Sequence, residues 1–233
     1  MYKISYVEIR GTYHKAYDIP CQDKTNFTKN KDYACVALAD GAGSRRFSHF
    51  GAELTVNTVC DYFDKHDSIS TRELCTQIRN NLSESDYVFD DLASTLLFVF
   101  VKNNKAIIGH LGDGIIIGVK NNCAEILSYP ENGEDKNITY FTTDANILEH
   151  FRVKEMSISD ISEMTFILAS DGGETLLYNS KTNTIAKAAT TMASWLSIGD
   201  EYEINEALIN NIGSVAKKYT SDDVSIIQLQ VKR

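Results

Sequence analysis

The sequence predicts an α+β protein: a four-layer α/β/β/α sandwich of two antiparallel sheets flanked by helices. Three observations lead there. Eight runs rich in β-branched and apolar residues read as strands. Short polar turns, rather than long crossovers, join several of them, which implies antiparallel pairing. Amphipathic helical segments stand on both sides of the central strands, so both outer faces of the sheets can be covered.

The strand runs are Ile4–Ile9, Tyr33–Ala39, Ser94–Val101, Lys105–His110, Ile115–Val119, Ala124–Ser128, Thr165–Ala169 and Val224–Val231. Asn103-Asn104 and Asn121-Asn122 sit between consecutive runs and read as hairpin turns. Ala52, Val56, Val59, Cys60 and Phe63 share one helical face. So do Ile185, Ala188, Ala189, Met192, Trp195 and Leu196, with Trp195 expected in the core, and then Ile204, Ala207, Leu208, Ile212 and Val215. A further helix is expected over Thr71 to Leu82. The order is two strands, helices, a run of four or five hairpin-linked strands, a mixed segment with helices, and a last strand. The length of 233 residues fits one domain, residues 1–233.

Composition narrows the function classes. No apolar run approaches the roughly 18 residues that cross a bilayer, and Met1 to Ser5 carry no signal-peptide core. A cytoplasmic protein with no membrane partner is expected. The net charge of −9, with Arg45-Arg46 and Lys217-Lys218 among its few basic pairs, argues against nucleic acid. The five cysteines are odd in number, widely spaced and free of any Cys-x-x-Cys, so they read as buried small apolar residues rather than disulfides or zinc ligands.

The informative pattern is aspartate beside glycine at strand ends. Val36 to Ala39 runs into Asp40-Gly41-Ala42-Gly43, Ile107 to Gly112 into Asp113-Gly114, and Phe166 to Ser170 into Asp171-Gly172-Gly173; Asp222-Asp223 opens the last strand. Each Asp-Gly alone reads as a turn. Several strands ending this way can bring carboxylates together at one edge of the sandwich, where they repel unless cations lie among them. Hard oxygen ligands suit Mg or Mn, and two such ions can acidify a shared water for attack on phosphorus. Ser170 lacks a nucleophile-elbow frame, and no Walker A or Cys-x5-Arg segment occurs.

In this order the motifs resemble the metal-dependent protein phosphatases of type 2C, and a bacterial subgroup in particular. The matches run from Gly11 to Ile227: Cys21-Gln22-Asp23, Ala39-Asp40-Gly41-Ala42-Gly43, Ser94-Thr95-Leu96, Gly112-Asp113-Gly114, Ala169-Ser170-Asp171-Gly172 and Asp222-Asp223-Val224-Ser225, with Pro130-Glu131-Asn132-Gly133-Glu134 and Thr139-Tyr140-Phe141 similar to the subgroup. The resemblance implies hydrolysis of phosphoserine or phosphothreonine on a protein by a metal-activated water, with Mn2+ or Mg2+ as two ions plus a weaker third. It implies that Asp40 bridges the two central ions, that Gly41 adds its carbonyl oxygen and that Asp171 and Asp222 hold one of those ions. Asp23 would bind metal-coordinated water, and Asp113 with Asp171 would hold the third ion. A phosphorylated protein is the implied partner, with a cognate Ser/Thr kinase opposing it.

Three departures stand out. Gln22 replaces a common glutamate, and Ala42 replaces a histidine proposed as general acid, with His49 as a substitute donor. The usual phosphate-gripping arginine is represented only by Arg10 or His14, of which His14 fits the subgroup. Arg45-Arg46 could meet a phosphopeptide or be solvated. Glu174 could approach the metals or simply favour a helix N-terminus. Tyr129 to Glu149 reads as a polar flap or surface loop with few anchors. Two other functions remain open: a phosphoprotein-binding module without turnover, and a metal phosphoesterase acting on a small molecule such as a nucleotide.

Overall fold

The computed structural model describes residues 1–131 and 139–232. Its strands are β1 (Tyr2–Ile9), β2 (Asp23–Lys29), β3 (Tyr33–Asp40), β4 (Leu96–Lys102), β5 (Lys105–Leu111), β6 (Ile115–Lys120), β7 (Cys123–Ser128), β8 (Arg152–Ser157), β9 (Glu163–Ala169), β10 (Tyr178–Asn179), β11 (Thr184–Ile185) and β12 (Val224–Lys232). The helices are α1 (Thr12–Ala16), α2 (Ser48–Phe63), α3 (Thr71–Ser83), α4 (Ile147–His150), α5 (Asp171–Leu177), α6 (Lys187–Ile198) and α7 (Glu201–Ala216).

Two five-stranded sheets carry the fold, in the orders β1-β12-β9-β6-β7 and β2-β3-β4-β5-β8. All their pairings are antiparallel. Three apolar cores separate four layers, as the expected α/β/β/α sandwich requires. One core lies between α2-α3 and the second sheet, around Phe63, Phe98 and Phe100. The middle core joins the two sheets through Leu38, Val99, Phe166 and Leu229. The third packs α6 and α7 on the first sheet through Met192, Leu196, Leu208 and Ile226. Strands β3, β4 and β12 are buried almost end to end because both faces are covered, which explains their continuous apolar runs.

The turn chemistry is local and legible. Asn103, Asn104, Asn121 and Asn122 all have positive φ, between 49° and 64°, the backbone that a two-residue hairpin needs and asparagine tolerates. They close β4-β5 and β6-β7. Helix α3 starts where the Ser70 hydroxyl accepts from the Glu73 N–H, and α7 where the Asp200 carboxylate accepts from the Tyr202 N–H.

Several expectations are corrected. The strands from Leu96 to Ser128 do not form one run of hairpins: β5 pairs with β8 in one sheet, and β6 with β9 in the other. The chain changes sheets at Gly112, whose φ of +103° a side-chain-bearing residue rarely adopts. Strands β2 and β8 escaped the sequence pattern because they are polar sheet edges. Trp195 is half-buried at the rim of the third core rather than inside it. Cys123 is exposed at the end of its turn, and Cys21 is half-buried, so only Cys35, Cys60 and Cys75 fit the buried expectation. Part of the 129–149 segment, residues 132–138, lies outside the described residues, as does Asn132-Gly133-Glu134 of the subgroup motif. Its described flanks are well anchored: Glu131 N–H donates to Gly112 O, Thr142 N–H to Ser94 O, and Arg79 to the carbonyls of Thr142 and Asp144.

Packing is tight where β4 and β5 meet. Gly109 lies opposite Phe98, and a Cβ there would stand 2.0 Å from the Phe98 ring. Gly109→Ala should therefore cost about 1–3 kcal/mol through overpacking, read as a melting temperature lower by several degrees. An unchanged melting temperature would contradict this packing.

Candidate metal centre

The register of the sheets builds the site. Asp23 at the start of β2 is directly opposite Asp40 at the end of β3. On the other sheet, Ile115 and Ile226 both pair with Ala169, so Asp113 before β6, Asp171 after β9 and Asp222 before β12 emerge at the same end. These ends frame a cleft of about 180 Å3 lined by Asp40, Gly41, Asp113, Asp171 and Asp222, together with Gln22, Ala42, Thr95 and Phe141. The larger apolar hollow beneath α5, α6 and α7 has no carboxylate in its lining and is unrelated to this chemistry.

The backbone that carries these carboxylates is fixed. Asp40 N–H donates to the Thr95 hydroxyl at 3.0 Å, and Thr95 N–H donates back to Asp40 O at 2.8 Å. Gly41 N–H donates to Gln22 O, and Ala42 N–H to Ala93 O. Ser170 N–H donates to Ser225 O, while Ser225 N–H donates to the Ser170 hydroxyl, which locks the starts of α5 and β12 together. At the sheet crossover, His110 is buried between the Ser128 hydroxyl (2.7 Å) and Gly112 O (2.9 Å). Burial, aided by Arg152, pushes its pKa down to about 3, so it is a neutral clamp at physiological pH.

The electrostatics are those of anions forced together. Burial, then the Asp223 charge, raises the Asp23 carboxyl to about 8, and its Oδ2 is buried without a hydrogen-bond partner. Asp40 is pushed well above the carboxylate range by burial and by Asp23, Asp171 and Asp113. Burial, Asp113 and Asp222 raise Asp171 to about 6, and burial with Asp171 and Asp113 raises Glu174 to about 7. Asp113 is raised as well, chiefly by burial. An all-oxygen set that resists its own ionisation is a donor set for hard divalent cations. The residues present fit Mg2+ or Mn2+.

His14, Asp222 and Asp223 form an adjoining cluster. They bring one ligand atom each to within 4.8 Å of one another, enough to hold one ion. His14 is only 4% exposed, and its Nδ1 lies 2.9 Å from Asp223 Oδ2; it is not part of the cleft lining. Arg10 is occupied by His14 O and Asp18. His49 also stands away from the cleft lining, with Lys24 and Glu53 as its charged neighbours. Arg45 and Arg46 are exposed, with the Arg46 guanidinium over the Phe47 ring at 5.1 Å. Sequence reasoning assigned no role to Thr95, Ser170 or Asp223. All three lay inside matched motifs, but only the fold shows what they hold.

The comparisons agree with this architecture. The family model described as protein phosphatase 2C matches residues 10–212, and the chain belongs to that family. It is similar to serine/threonine-protein phosphatase 3 of Escherichia coli (strain K12), with 26% identity over 160 residues, covering 61% of this chain and 63% of that protein. Less than two thirds of that relative's length is thus matched. Among solved structures, the serine/threonine phosphatase of S. agalactiae superposes with a TM-score of 0.68 at 19% identity, over 98% of this chain and 99% of that one. The catalytic domain of the phosphatase PstP, in complex with two manganese ions, gives 0.67 at 16% identity, over the whole of both chains (100% each). At these identities the structures establish the shared fold.

Protonation should report on the cluster directly. An unfolded aspartate titrates near 3.9, so with Asp23 at about 8 the folded, metal-free protein holds the extra proton between those values. Its stability should then fall as pH rises through that window. Mn2+ binding at pH 7 should expel protons, seen in calorimetry as heats that depend on the buffer's ionisation enthalpy. Buffer-independent heats would count against the cluster as the binding site.

Proposed function

We propose that this chain is a metal-dependent protein serine/threonine phosphatase and that residues 1–233 form its one catalytic domain. The observation that carries the reading is the convergence of Asp40, Asp113, Asp171 and Asp222 on one cleft, with Asp23 buried beside Asp40. Membership of the protein phosphatase 2C family supports it. The manganese pair described for PstP supports two central ions, Mn2+ or Mg2+, with a weaker third.

In this reading Asp40 bridges the central ions, Gly41 adds its carbonyl oxygen, and Asp171 and Asp222 complete one of the two sites. Asp23 contributes through ordered water, and Asp113 with Asp171 serves the third site. Bound there, the ions supply Lewis acidity toward the phosphate and a nucleophilic water at neutral pH. The chain's own residues do the positioning: Thr95 fixes the Asp40 backbone, and the paired Ser170 and Ser225 fix those of Asp171 and Asp222. Ala42 lines the cleft and has no proton to give, so the leaving group is protonated from elsewhere. His14, expected to grip the substrate phosphate, is buried against Asp223 and stands outside the cleft lining. The substrate is a phosphorylated protein, the opposing enzyme a Ser/Thr kinase, and the setting cytoplasmic.

The test is hydrolysis of p-nitrophenyl phosphate with Mn2+, with Mg2+ and with EDTA, followed by phosphoserine and phosphothreonine peptides against nucleotides. Turnover should require metal and prefer the peptides. Asp171→Asn should lower it by about 100-fold or more, beyond the range usual for groups that merely support a ligand. A folded protein inactive with every metal would favour a phosphoprotein-binding module, and preference for nucleotides would favour a small-molecule phosphoesterase.

A further inference from the structure

Asp223 is 2% exposed, yet it meets nearly every segment that builds the cleft. Its Oδ1 accepts from Gly11 N–H at 2.6 Å, and its Oδ2 accepts from Gln22 N–H at 2.6 Å and faces His14 Nδ1 at 2.9 Å. Gln22 precedes Asp23, and its carbonyl takes the N–H of Gly41, which follows Asp40. Asp223 N–H donates to the neighbouring Asp222 carboxylate at 2.8 Å. The Asp223 carbonyl lies so near Gly172, next to Asp171, that a Cβ on that glycine would stand 2.0 Å from it. Gly11 is pressed on the Ser221–Asp222 backbone in the same way, with a would-be Cβ 2.4 Å from Ser221 O. One residue thus touches the segments that carry Asp23, Asp171 and Asp222, and reaches that of Asp40 through Gln22.

The chemistry of the contacts requires a carboxylate. Two backbone donors converge on Asp223, one on each oxygen, with His14 Nδ1 lying 2.9 Å from Oδ2, and a carboxylate can accept on both oxygens. Asparagine would turn an NH2 against Gly11 N–H, or against Gln22 N–H and His14, and leave a buried donor unpaired. Each oxygen already accepts a backbone N–H, and Asp223 also lies within ligand distance of His14 and Asp222.

We propose that Asp223, oriented by His14, is a positioning residue that sets the spacing of the metal-binding carboxylates without binding metal itself. This rests on the proposed metal centre. His14 then acts on the metal centre rather than on the substrate phosphate, because its Nδ1–H holds the carboxylate that aligns Asp222 with Asp23.

Calorimetric titration with Mn2+, well below the melting temperature, tests it on the full chain. Asp223→Asn should bind the same number of ions as wild type with affinity weakened by about 10- to 100-fold, as for other groups that support a ligand. His14→Leu should show the same weakening. His14→Asn, whose side-chain amide can donate from nearly the position of Nδ1, should recover most of the affinity. The His14 pair keeps the test intact if Asp223→Asn fails to fold. Loss of a whole binding event in Asp223→Asn or His14→Leu would make the His14–Asp222–Asp223 cluster an ion site and overturn the proposal. Affinity within twofold of wild type in His14→Leu, or equal weakening in His14→Leu and His14→Asn, would overturn it too. Absence of Mn2+ binding to the wild type would instead remove the metal centre on which it rests.

Discussion

Asp23 and Asp40 face each other across neighbouring strands, where like charges oppose pairing. Asp113, Asp171 and Asp222 arrive from the other sheet and add to the repulsion. The fold holds these groups together against their own electrostatics, and the raised carboxyl pKa values show the cost. A strain of this kind is relieved by protons or by cations, and the two compete for the same oxygens. The three apolar cores supply the compensating stability, and the site is confined to the sandwich edge where strands of both sheets end.

Both sheets bring carboxylates to the cleft, and the chain crosses between the sheets beside it. Gly112 takes a backbone few other residues adopt, and Gly114 lies so close to Ala169 that a Cβ would stand 2.7 Å from its carbonyl. Asp113 is therefore pinned between β5 and β6. The neutral His110 ties Gly112 to Ser128, so the crossover is held from the far side as well. Binding geometry here is a property of strand register and crossover position, not of any one loop.

The strand-end aspartates were legible because Asp-Gly after an apolar run is a local signal, and Asn103-Asn104 and Asn121-Asn122 announced their hairpins in the same way. Sheet membership was not legible: nothing local distinguishes Leu111 passing to Ile115 across the sandwich from another hairpin. The edge strands β2 and β8 carry too few apolar residues to show a pattern. Asp223 hid for a different reason. Its partners Gly11 and Gln22 lie 212 and 201 residues away, so its role exists only in the folded chain.

Two of the three departures from the family pattern also find a physical setting. The Gln22 side-chain amide donates to the Ser48 hydroxyl at 2.7 Å and to Arg45 O at 3.3 Å; an ionised glutamate could meet Ser48 only as an acceptor and could not bond Arg45 O. It fastens the loop after Asp40 to the start of α2. Ala42 leaves the cleft wall without a titratable group there. That the cleft carboxylates hold ions is the central claim. Anomalous scattering from a crystal grown with Mn2+, collected at the manganese edge, tests it most directly. The account predicts two strong peaks sharing Asp40, with Asp171 and Asp222 on one of them. A lone peak between His14 and Asp223, or none near Asp40, would contradict it.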